Sequence, residues 1–112
     1  MEESILISIK KLLGLSKEDK SFDTDLIIHI NTVFVTLNQL GIGPEEGFSI
    51  EDDTATWSEF IGDNKKLNAI QTYIYLKVKL VFDPPLSSAV MDANKQTINE
   101  LEWRLNLEAE SK

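Results

Sequence analysis

The chain has 112 residues, 42% of them hydrophobic, and a formal net charge of −8. This is the length of one ordinary domain, able to bury roughly two thirds of the surface its unfolded form would expose. The absence of cysteine excludes disulfide staples, thiolate zinc sites and a cysteine nucleophile, and suits a reducing cytoplasm.

The opening stretch, MEESILISIKKLLGL, is acidic at its start, and Lys10 and Lys11 interrupt its apolar run. It therefore does not read as a secretory signal. No stretch approaches the ~20 apolar residues needed to span a bilayer, so the expectation is a soluble chain without a targeting address. Residues 2–13 read instead as a short amphipathic helix. Ile5, Ile9, Leu12 and Leu13 share one face, and Gly14 is placed to end it. Residues 15–22 form a mostly polar connector.

The run FDTDLIIHINTVFVTLNQLG predicts a second helix, with Asp23, Thr24 or Asp25 as N-cap and Gly41 as the stop. Leu26, Ile30, Val33, Leu37 and Leu40 make its core stripe, widened by Ile27 and Phe34. Its β-branched content is high, but length, caps and 3–4 spacing favour helix over strand.

Residues 41–56, GIGPEEGFSIEDDTAT, are the long irregular segment. Gly41, Gly43, Pro44 and Gly47 break helix, and Phe48-Ser49-Ile50 leaves open a short strand or hairpin arm. A loop of about 15 residues is uncommon in a compact domain unless it is functional or disordered. Trp57 and Phe60 follow in a helical turn that would pin the end of the loop to the core.

The third helix is expected from Asp63 or Asn64 to Phe82. Leu67, Ile70, Ile74, Val78 and Val81 form one stripe, with Tyr73, Leu76 and Leu80 on a second side, so this helix reads as central. Asp83-Pro84-Pro85 must end it, because proline lacks an N–H and disfavours the α region for the residue before it. The fourth helix runs from near Ser87 to about Leu107, roughly 30 Å at 1.5 Å per residue. Its expected core stripe is Leu86, Val90, Asn94, Thr97, Ile98, Leu101 and Leu105, followed by a frayed tail over 108–112. Together these segments predict one all-α domain over residues 1–112: about four helices around one core, with an elaborated loop between the second and third.

Catalytic apparatus is missing from the pattern. His29 is the single histidine, so neither a metal pair nor an oriented triad base is available beyond it, and no G-x-S-x-G elbow occurs. The glycines form neither G-x-G-x-x-G nor a Walker loop. Glu51-Asp52-Asp53 lacks the spacing that wraps a calcium ion. Tyr73 and Tyr75 fit the core and rim of the third helix rather than proton donors. The expectation is no enzyme, no cofactor and no metal.

Two features remain. The first is apolar surplus in awkward places. Ile28 and Val35 lie opposite the stripe of the second helix, and Trp103 and Leu107 lie opposite that of the fourth. Exposed apolar residues, tryptophan above all, mark subunit contacts, and these four are the candidate interface. The second is charge. No lysine or arginine occurs between Lys20 and Lys65, an interval holding nine carboxylates that include Glu45, Glu46, Glu51, Asp52 and Asp53. A nucleic-acid binder carries the opposite field. Such a surface either aids solubility or faces something that must not stick, such as passing DNA. It also supports an alternative reading as an acidic DNA mimic or regulatory protein-binding module. Mimics spread carboxylates over helix faces, however, whereas many of these sit in one loop.

YIYLKVKLVFDPPLSS (residues 73–88) and INELEWRLN (98–106), with FDTDLIIHINTVFVTLNQLGIGP and Trp57 upstream, resemble the head–tail connectors of long-tailed bacteriophages and their prophages, chiefly those of Gram-positive hosts. FDPP after Y-x-Y-L-K-V-K-L is the most specific part, and the resemblance covers nearly the whole chain in order. It implies a small helical virion subunit, made in the host cytoplasm, that forms a ring beneath the portal protein and extends the DNA channel. The ring would present a docking surface to tail-side adaptor or stopper proteins, with DNA passing nearby unbound and no membrane involved. Under it, Asp83, Pro84 and Pro85 become a hinge that aims the last helix. The acidic loop residues become candidates for the channel lining.

Overall fold

In the computed structural model, residues 4–62 and 67–110 are described, with side chains to Leu107. They form α1 (Ile5–Leu12), α2 (Asp23–Gln39), α3 (Trp57–Ile61), α4 (Leu67–Phe82) and α5 (Ser88–Glu110). The fold class is all-α, as expected. The predicted turn at Trp57 is the short α3. No strand occurs among the described residues, so the hairpin arm at Phe48-Ser49-Ile50 is corrected. The only extended pairing there is an isolated bridge between Ser4 and Thr56. The expected starts of the first helix at residue 2 and the third at 63–64, and the last two residues of the tail, lie outside the described residues. α5 runs on to Glu110, past the expected helix end at Leu107.

Local chemistry sets most boundaries. The Ser4 side chain caps α1 by accepting from the Ile7 N–H at 3.2 Å, and Gly14, at φ 82°, turns the chain away. The N-cap of α2 is Phe22, without a side-chain hydrogen bond, because the Asp23 carboxylate is committed elsewhere. It pairs at 2.8 Å with Lys10, which is 2% exposed. The same ammonium donates to the carbonyls of Asp19 (2.6 Å) and Lys17 (3.2 Å). One buried cation thus ties α1, the connector and the start of α2 together, and its three oxygen partners offset its desolvation. Asp23 and Asp25 still favour the positive end of the α2 dipole.

A single apolar core draws on all five helices, including Ile5, Leu26, Ile30, Phe34, Trp57, Ile74 and Leu105. α4 lies at its centre, packed against α1, α2 and α5, with Ile70, Tyr73, Ile74 and Val78 fully buried. The 41–56 loop is folded onto this body. The Asn31 side chain donates to the Ile50 carbonyl (2.9 Å) and accepts from its N–H (2.8 Å). The rings of Phe34, Phe48 and Phe60 pack against one another in edge-on and tilted arrangements, with centroids 4.6–5.2 Å apart. Gly43, at φ 89°, passes so close to Phe60 that a Cβ there would collide with the ring. Trp57 donates its indole N–H to buried Ser8 at 3.0 Å, and Glu59 accepts from the Thr56 N–H at 2.9 Å in a capping box that starts α3.

Four apolar residues expected in core stripes are exposed, Leu12, Val81, Leu86 and Val90, as is the polar Thr97. On α1 the helix rolls so that Leu6 is buried in place of Leu12. Val81, Leu86 and Val90 flank the α4–α5 junction, where none of the described elements lies over the chain.

Candidate docking surfaces

Because α4 separates α2 from α5, the outer sides of these two helices form separate surfaces. Ile28 and Val35, two turns apart on α2, and Trp103 and Leu107, one turn apart on α5, are all exposed, Trp103 by 64%. Each pair lies opposite the buried stripe of its own helix, Leu26–Ile30–Leu37 in one case and Ile98–Leu105 in the other.

The two surfaces differ in shape. Beside Val35, the C-terminal half of α2 and the 46–49 segment enclose an open groove of about 370 Å³. Phe34 and Phe48 form its apolar floor, while Asn38, Glu46 and Ser49 supply polar walls. Trp103 instead projects from α5. Beside it, Arg104 holds Glu100 at 2.7 Å. On the inner side, Glu102 accepts a 2.6 Å hydrogen bond from the buried Tyr73 hydroxyl and lies 3.9 Å from Lys77. Burial and this carboxylate raise the Tyr73 pKa far above the ordinary phenol value, so the hydroxyl stays a donor and anchors the C-terminal half of α5 to α4.

A third apolar surface surrounds the hinge, where Val81, Leu86 and Val90 are exposed. Asp83, Pro84 and Pro85 lie between α4 and α5, with Asp83 3.5 Å from Lys79. Phe22 packs edge-on against Phe82 at 5.3 Å, bringing the start of α2 to the same end. Nearby, a groove of about 220 Å³ between α2 and α4 is lined by His29, Thr32, Val33, Lys77, Leu80 and Val81. No buried side chain occurs in α5 before Ile98. Sequence reasoning missed this surface, although polar Asn94 and Thr97 within the supposed stripe were a usable signal.

The acidic residues form two exposed turns of the loop rather than a cluster. Glu45 and Glu46 occupy one, and Glu51, Asp52 and Asp53 the other. The Thr54 hydroxyl and N–H both donate to Asp52, at 2.6 and 2.9 Å, and hold its carboxyl below the usual range. Asp53 lies 3.9 Å from Lys20. Among the described residues, no three His, Asp or Glu side chains converge in a metal-holding arrangement, and no helix is long and apolar enough to cross a membrane. The described surface thus carries separate exposed apolar faces and two acidic turns.

A family model described as "Phage connector protein" matches residues 5–112. No curated protein and no solved structure matches the chain.

Proposed function

Since the chain belongs to the phage connector protein family, a structural family of the virion head–tail junction, we propose that it forms a ring beneath the portal protein as a single connector domain. The ring extends the DNA channel and receives a tail-side adaptor or stopper protein. The match over residues 5–112 carries the connector role and its generally non-enzymatic character. The assembly reading rests on the apolar faces on the outer sides of α2 and α5, which α4 keeps apart.

A ring requires heterologous contacts, in which one face of a subunit meets a different face of its neighbour. Ile28 and Val35 supply one face, Trp103 and Leu107 the other. The hinge at Asp83-Pro84-Pro85 sets the direction of α5, so the hinge surface meets portal or tail. The turns carrying Glu45, Glu46, Glu51, Asp52 and Asp53 face the channel, where carboxylates repel phosphate. Lysine or arginine there would instead gain affinity by counterion release and hold the DNA.

Electron microscopy of the chain alone and mixed with portal tests this reading. Rings stacked coaxially on the portal are the expected result. Failure to bind either portal or tail-side protein overturns it.

A further inference from the structure

The two outer faces are complementary in form and differ in charge. Residues 21–62 carry eight carboxylates and no lysine or arginine, whereas residues 67–107 carry four of each sign. The groove beside Val35 belongs to the acidic part and has Glu46 in its wall. The projecting Trp103 belongs to the neutral part, and the residue beside it, Arg104, is the only arginine in the chain.

We infer that Trp103 of one copy seats in the groove of the next, over Phe34 and Phe48, and that Arg104, paired with Glu100 in the single chain, then also faces Glu46. This rests on the ring reading above and names the surfaces that mate. A second copy is the fitting occupant because knob and groove are present on one chain, on helices that α4 holds apart, so neither can satisfy the other internally. An indole brings a large apolar body and one N–H that needs an acceptor when buried. The groove offers the Asn38 carbonyl oxygen and the Glu46 carboxylate above its aromatic floor. Tryptophan and arginine are the residues that most often dominate contact energy. A charged pair at the rim chiefly fixes orientation and encounter rate. Knob-to-groove contact is not self-complementary, so it propagates from copy to copy and closes only as a ring.

The cysteine-free chain allows a direct test, with Val35→Cys and Leu107→Cys prepared as separate proteins and oxidised with portal present. Mixed together they should form a disulfide-linked pair, while each alone should link poorly. Both substitutions in one chain should give a ladder beyond the dimer. Arg104→Glu should cut the mixed yield several-fold, and Glu46→Arg in the partner protein should restore it. Trp103→Ala should abolish the ladder from the doubly substituted chain while leaving the monomer's thermal unfolding nearly unchanged. Efficient linking by either single variant alone, or no restoration by the charge swap, overturns the pairing. Rings on the portal without the Val35–Leu107 link overturn the pairing and leave the ring reading standing. Absence of any assembly on portal overturns both.

Discussion

α4 and α5 are both long helices with apolar residues at helical spacing, yet they meet opposite fates. The 16 residues of α4 are flanked by α1, α2 and α5, and Ile70, Tyr73, Ile74 and Val78 are all at 0% exposure. The 23 residues of α5 extend roughly 35 Å, but among its described side chains the buried ones are Ile98 and Leu105. The first three turns of α5 carry half-exposed Val90, and Leu86, just before the helix, is fully exposed. Periodicity identifies which face of a helix is apolar. What covers that face depends on whether another element reaches it, and past Asp83-Pro84-Pro85 none of the described elements does.

The comparison breaks first at α4. Ile74→Ala should destabilise the fold by about 2–5 kcal/mol, since it opens a cavity where neighbours on three sides cannot all collapse. Chemical denaturation of the isolated chain measures this. Leu105→Ala, in the anchored half of α5, should cost somewhat less, about 2–3 kcal/mol, because solvent lies closer to one side. Equal losses at Leu105 and at Val90 would mean that α5 is held uniformly, and the contrast between its halves would be wrong.

A smaller effect sharpens the same boundary. Tyr73→Phe removes the hydrogen bond to Glu102 and should cost about 1–2 kcal/mol, toward the low end for a bond to a charged acceptor because that carboxylate is partly solvated. The sign of its pH dependence follows from the raised Tyr73 value. The folded form holds this proton more tightly than the unfolded form. The associated stability is therefore complete below the ordinary phenol value of about 10 and is lost as pH rises above it. Thermal unfolding of the parent chain should fall in that alkaline range more steeply than that of Tyr73→Phe.

Legibility in the sequence follows the range of the interaction. The stripes of α2 and α4, the stop at Gly14 and the break at Asp83-Pro84-Pro85 are local patterns, and each corresponds to an observed feature. Lys10 with Asp23, Ser8 with Trp57, and Asn31 with Ile50 are polar pairs between separate segments, and no spacing rule announces them. Asp23 is instructive because its position suited an N-cap, yet a buried ammonium is a stronger claimant than one backbone N–H. The loop was readable as irregular, but its attachment through Phe34, Phe48 and Phe60 was not, since aromatic clustering depends on the path of the chain between them. The outward placement of Ile28, Val35, Trp103 and Leu107 follows from helical geometry alone. The exposed surface at the α4–α5 link could not be read from the same geometry, because Val90 continues the apolar spacing of α5 and Leu86 lies just before the helix begins.

That continuity makes the hinge surface the most discriminating place for substitution. Leu86→Ala and Val90→Ala should each change monomer stability by no more than about 0.5 kcal/mol, as surface replacements do. Both should weaken binding to portal or tail-side protein, read by co-sedimentation with each partner separately. The two measurements must be taken together. A loss of stability comparable to that at Leu105 would place the start of α5 against the body, making these residues core. Unchanged stability with unchanged binding to both partners would make the exposed stripe a solvated face, and contact would then rest on the outer sides of α2 and α5 alone. Unchanged stability with lost binding is the outcome expected of exposed apolar residues that lie outside the core.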